Sequence, residues 1–152
     1  MREGVTVQVA TQTVERRTGT QKFVQDMIAE RQEMWVLYCK AAGLEPFTDE
    51  APVRQALDVF GQVLVDYISA GHFGLYERIA AGKERRRAVR AAAGEVYEEI
   101  ARTTDVALAF NDRYEAGSGF ALDTDFAKDL SELGEALALR IELEDRILAR
   151  ML

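Results

Sequence analysis

Apolar residues recur at steps of three and four along four separate stretches of the chain, the pattern of amphipathic helices. In the first, near Gln21 to Ala42, the stripe is Phe23, Met27, Met34, Leu37, Tyr38 and Ala41, with a gap at Glu30 and Arg31. Gly43 and Pro46 stop it. The second begins near Asp49, an N-cap type, with Pro52 tolerated in the first turn. It carries Val53, Leu57, Phe60, Leu64, Tyr67, Ile68, Gly71, Leu75 and Ile79 on one side and ends at Gly82. The third starts in the basic run Lys83 to Arg90 and buries Val89, Val96, Ile100, Ala107, Phe110 and Tyr114, before Gly117-Ser118-Gly119 breaks the chain. The fourth runs from Asp123 to the C-terminus with the stripe Phe126, Leu130, Leu133, Leu137, Ile141, Leu148 and Met151. Such helices, joined by short breaks, predict an all-α fold, an antiparallel four-helix bundle in which each stripe closes against its neighbours.

Residues 1–18 carry no such stripe. Val5, Val7 and Val9 alternate with polar or small residues, which fits a short extended arm or a frayed terminus. The expected organisation is a flexible arm over 1–18 and one helical domain over 19–152.

Composition narrows the function classes. With 152 residues, 48% hydrophobic and 30% charged, the chain can bury a core without staples. Its formal charge of -7 disfavours direct binding to a phosphate backbone and suits a basic protein partner. Cys39 is the only cysteine, so neither an internal disulfide nor a thiolate zinc site is expected, in keeping with a reducing cytosol. The first residues lack the apolar stretch of a signal peptide, and no run approaches a membrane span, so a cytoplasmic chain without membrane contact is expected.

Bundles often hold metals, yet the usual di-iron arrangement needs two Glu-x-x-His pairs. This chain has one histidine, His72, with Ser69 three residues before it. There is no His-x-x-x-His pair, no phosphate-binding glycine loop and no Gly-x-Ser-x-Gly elbow. No metal, cofactor or enzymatic activity is therefore expected. Histidine phosphotransfer domains are also four-helix bundles, but they usually place Lys-Gly after the histidine, and here Phe73-Gly74-Leu75-Tyr76 follows. His72 reads better as a hydrogen-bonded structural histidine on the helix flank.

The second helix is the informative one. At about 100° per residue, Leu57, Leu64 and Leu75, flanked by Phe60, Ile68 and Gly71, define the core side. Val59, Asp66, Ser69, Ala70, Phe73 and Glu77 fall on the opposite side. A phenylalanine framed by two acids, with small residues beside it, has the make-up of an interface anchor with a charged rim. The alternatives are a single exposed ring of no consequence and packing of Phe73 on another helix. Gly71 lies on the core side, where close approach of a neighbouring helix accounts for it. The basic run Lys83 to Arg90 reads as a solvated face or a secondary contact for an acidic partner.

In the same helix, Leu64-Val65-Asp66-Tyr67-Ile68-Ser69-Ala70-Gly71-His72-Phe73, followed by Tyr76-Glu77-Arg78-Ile79, closely resembles the signature of the Rsd/AlgQ family of bacterial regulators of the primary sigma factor. Leu133-Gly134-Glu135-Ala136-Leu137 through Leu143-Glu144-Asp145 resembles that family's last helix. Lys22, Tyr38, Gly43 and Pro46 fall at familiar positions, so the similarity spans about residues 19–152, with a poor match over 83–122. The resemblance implies a bundle of four long helices with short flanking helices. It also implies an anti-sigma activity: binding to region four of the primary sigma factor, which keeps that factor from core RNA polymerase and promoter DNA, mainly in stationary phase. Asp66, Ser69, Phe73 and Glu77 align with partner-contacting positions of the family, and Ala70 beside Ser69 would permit close approach. Contact with a sugar-transport phosphocarrier is implied for some members. A helical adaptor with another protein partner is the alternative reading.

Overall fold

The computed structural model describes residues 2–43, 53–115 and 124–152. Its elements in order are α1 (Arg2–Ala41), α2 (Val53–Gly71), a π-helical turn (His72–Tyr76), α3 (Glu77–Ala80), α4 (Arg87–Tyr114) and α5 (Thr124–Met151). The four long helices are those predicted from the apolar stripes, and no strand occurs among the described residues. The predicted stops and starts at Pro46, Asp49, Pro52, Gly117-Ser118-Gly119 and Asp123 lie outside the described residues.

The N-terminal segment corrects one expectation. α1 starts at Arg2, so the backbone of residues 2–18 is helical rather than extended. The alternation at Val5, Val7 and Val9 covers too few residues to define a strand, and an isolated strand has no ladder partner. Extending an existing helix requires no new nucleus.

Glycines end two of the helices. Gly43 follows α1 with φ 68°, and its N–H donates to Lys40 O at 3.2 Å. Gly82 follows α3 with φ 72°. There Lys83 N–H donates to Arg78 O at 2.8 Å and Gly82 N–H to Ile79 O at 3.1 Å, the paired bonds of a Schellman cap.

Adjacent helices run antiparallel. Tyr38 of α1 bonds to Leu130 of α5, while Arg31, two turns earlier on α1, pairs with Asp145 further along α5. Tyr114 at the end of α4 meets Asp129 near the start of α5. α1 packs chiefly on α2, and α4 on α5. One core cluster is built on Met27, Met34, Phe60, Leu64, Phe110, Leu133 and Leu137. A second lies toward the other end, from Leu75, Val89, Val96, Ile100, Leu143 and Ile147. Fully burying side chains of this kind stabilises the fold by about 1.5–3 kcal/mol each.

A charged layer crosses the bundle near these clusters. Glu144 is 0% exposed and Arg140 1%. Glu144 accepts hydrogen bonds from the hydroxyls of Tyr67 and Tyr76, the latter at 3.2 Å. Arg140 Nε lies 3.6 Å from the same carboxylate, and its Nη1 donates to Thr104 Oγ1 at 2.7 Å and Thr103 Oγ1 at 3.2 Å. Arg31 donates from Nε to Tyr67 Oη at 3.2 Å and from Nη1 to Asp145 Oδ1 at 2.7 Å. Burial raises the Glu144 carboxyl above its ordinary range, opposed by Arg140, the Tyr67 hydroxyl and Arg31. The Tyr67 and Tyr76 hydroxyls are also pushed up, first by burial and then by the charge of Glu144.

Candidate functional site

The sequence pattern singled out Asp66, Ser69, Ala70, Phe73 and Glu77, and all five lie on the solvent side of α2 and the turns that follow it. Asp66 and Glu77 are exposed, Ser69 and Ala70 half-buried. Phe73 is 65% exposed, which rules out its packing on another helix of the bundle. Val59, a further member of that face, is exposed as well. On the opposite side Leu57, Phe60, Leu64, Ile68 and Leu75 are buried, as the helical wheel predicted.

The wheel did not anticipate the π turn. Glu77 N–H donates to His72 O, which widens the helix by one residue at the point where Phe73 stands. A single π turn displaces the following residues by roughly 100° on an α-helical wheel. Glu77 is therefore carried round relative to Asp66, while Tyr76 is brought inward beside the already inward Leu75.

His72 is exposed rather than fixed by the hydrogen bond expected of a structural histidine. Its ring meets Phe73 edge-on, with centroids 4.9 Å apart.

Two glycines explain how the segment packs. An added Cβ at Gly71 would lie 3.3 Å from Glu144 Oε2 and from Tyr76 Cε2, so the close approach read for this residue is to the buried carboxylate. At Gly74 it would lie 2.5 Å from Phe23 Cε2, a distance that real atoms do not adopt.

Around Asp66 the surface is more acidic than α2 alone indicates. Glu30 on α1 has its carboxyl held above the ordinary range, first by burial and then by Asp66, Asp26 and Glu33. A cation arriving here would relieve that repulsion. The sequence signal was the gap at Glu30 and Arg31: Arg31 points inward and Glu30 reaches the α2 side. On the other flank an open groove of about 550 Å³ runs between α2 and α4, lined by Asp58, Gln62, Val65, Asp66, Asn111 and Glu115 among others. Asp66 thus stands between the α1 acids and this groove.

The basic run is divided by the fold. Lys83, Arg85, Arg87 and Arg90 are exposed. Arg86 turns back to grip buried Glu84, whose Oε1 accepts from its Nε at 2.8 Å and from its N–H at 3.0 Å. Arg86 holds the Glu84 carboxyl down to about 2.

Among the described residues no group of three or more His, Cys, Asp or Glu could hold a metal ion. No helix among them is long and apolar enough to cross a membrane. Cys39 is half-buried and free.

The sequence profile of the family described as "Regulator of RNA polymerase sigma(70) subunit, Rsd/AlgQ" matches residues 7–152. That match takes in the third-helix region and begins before residue 19, so the likeness is broader than its clearest motifs. The chain is 36% identical over 145 residues to the regulator of sigma D of Shigella boydii, covering 91% of this chain and 89% of that protein. It is 35% identical over 145 residues to the regulator of sigma D of an Escherichia coli O1:K1 strain, with the same coverage. To that of Yersinia enterocolitica it is 33% identical over 141 residues, covering 88% and 83%. A bundle with the predicted helices, an exposed Phe73 in an acidic setting and this match over nearly the whole length agree: the chain belongs to the Rsd/AlgQ family of regulators of the RNA polymerase sigma(70) subunit.

Proposed function

We propose that this protein is an anti-sigma factor that binds region four of the primary sigma factor through α2 and its π turn. Binding keeps the sigma factor from core RNA polymerase and promoter DNA. It acts in the cytoplasm, in stationary phase, where it favours alternative sigma factors. The observation that carries the reading is Phe73, a large apolar ring 65% exposed on the helix that bears the family signature. The acids around it support a basic partner: Glu30 is crowded by Asp66, Asp26 and Glu33, and a DNA-reading surface brings Arg and Lys. In this reading Asp66 and Glu77 pair with those cations, Phe73 fills an apolar pocket, and Ser69 and Ala70 let the partner approach.

Calorimetric titration with region four of the cognate primary sigma factor, at two salt concentrations, tests the proposal. Binding should weaken as salt rises. Phe73→Ala should cost at least about 2 kcal/mol, roughly 30-fold in Kd. Asp66→Asn should cost about 1 kcal/mol or less, because a rim charge stays solvated. Absence of binding at micromolar protein would refute the partner and leave a helical adaptor with another target, such as a phosphocarrier. Unchanged affinity in Phe73→Ala would refute the anchor.

A further inference from the structure

Phe73 stands where the helix is widest, and both ends of that widening lie against one buried group. At the start, Gly71 lies so close to Glu144 Oε2 that a Cβ would fall 3.3 Å away. At the end, Tyr76 donates its hydroxyl to the same oxygen at 3.2 Å, with the Arg140 guanidinium 5.8 Å from its ring centre. The middle is pressed by Phe23, whose ring leaves no room for a side chain at Gly74. Leu75, beside Tyr76, is 1% exposed in the second core cluster. If the turn relaxed to a regular α-helix, everything beyond it would rotate by roughly 100°. Tyr76, which a regular wheel sets off the core side, would leave Glu144. Phe73 lies inside the turn that these contacts hold, so its placement relative to α2 depends on them.

We infer that Tyr76, through its hydrogen bond to Glu144, is a positioning residue for partner binding: it holds the π turn that presents Phe73. The inference rests on the sigma-binding reading above. Tyr76 itself is buried, beneath the surface that carries Phe73. Its role predicts a loss of affinity from a change beneath the surface, accompanied by local loosening of the turn.

Tyr76→Phe tests this, because it keeps the ring and removes only the hydroxyl. Affinity for region four of the sigma factor is measured by calorimetry, and amide hydrogen exchange is followed in the unbound protein. The expected results are a Kd about tenfold weaker and exchange at residues 72–77 accelerated about tenfold beyond that of core amides in α4. Wild-type affinity in Tyr76→Phe would overturn the inference. Gly74→Ala should weaken binding similarly by driving the turn off Phe23, and Phe23→Leu, which removes the colliding ring atoms, should restore it. Wild-type affinity in Gly74→Ala would also overturn the inference. If the unaltered protein does not bind region four, the functional reading fails on its own account. Hydrogen exchange then judges the clamp, and unchanged protection at 72–77 in Tyr76→Phe would overturn it.

Discussion

Arg140→Met removes the charge from the buried layer while keeping most of the side chain's volume. Arg140 is 1% exposed, lies 3.6 Å from a carboxylate that is 0% exposed, and donates to two threonine hydroxyls. Removing one partner of such a pair leaves the other charge buried and uncompensated, which costs about 3–5 kcal/mol. For a chain of this size that lowers Tm by roughly 10 °C. The loss should also depend on pH. The Glu144 carboxyl is already raised from 4.5, first by burial, and Arg140 is the largest influence pulling it down. Without Arg140 it rises further. A group whose pKa is raised in the folded state penalises folding least below its unfolded value and most once pH exceeds the folded value. The variant should therefore lose most stability at pH 8 and recover toward pH 4.5, as Glu144 takes up a proton. Urea unfolding followed by far-ultraviolet circular dichroism at several pH values measures this, provided the m value is unchanged. A loss under about 1 kcal/mol at pH 8, or one that grows as pH falls, would refute the reasoning.

Two further variants probe the packing and the loop before α4. Gly134→Ala would set a Cβ 2.9 Å from Tyr38 Cζ, and because Tyr38 is anchored by its 2.9 Å bond to Leu130 O, the change should destabilise by about 1–3 kcal/mol in chemical unfolding. Glu84, held down to about 2 by Arg86, contributes stability that is complete above 4.5 and lost as pH falls toward 2. Glu84→Gln should remove about 2 kcal/mol at neutral pH and flatten the acid limb of stability against pH; an unchanged acid limb would show that the pair contributes nothing.

The stripes located the four long helices because a solvent-facing helix must segregate apolar residues on one side. Leu57, Leu64 and Leu75 were legible for that reason, and so was Phe73, as an apolar residue on the wrong side. The same logic concealed the charged layer. Arg31 and Thr103 interrupt their stripes, and Arg140 and Glu144 occupy inward positions on α5, yet single-helix periodicity scores each as a surface residue. Only the juxtaposition of three helices, with Tyr67 and Tyr76 from α2 and its π turn, shows that they satisfy one another. The π turn was hidden for a related cause: its driving contacts, Gly71 on Glu144 and Gly74 on Phe23, join residues far apart in sequence. Glu30 was missed because its acidic neighbour, Asp66, belongs to another helix.

The charged layer also limits which bundles this chain can form. Where a core is apolar throughout, a helix can slide by one turn, about 5.4 Å, and still find hydrocarbon to cover. Such a shift of α5 would withdraw Glu144 from both tyrosines and set Arg140 against the leucines of the neighbouring cluster. Slipped and swapped arrangements would each carry a buried ion without its counterpart. The layer thereby acts as a key for vertical alignment, and the site on α2 inherits one height relative to α1 and α4.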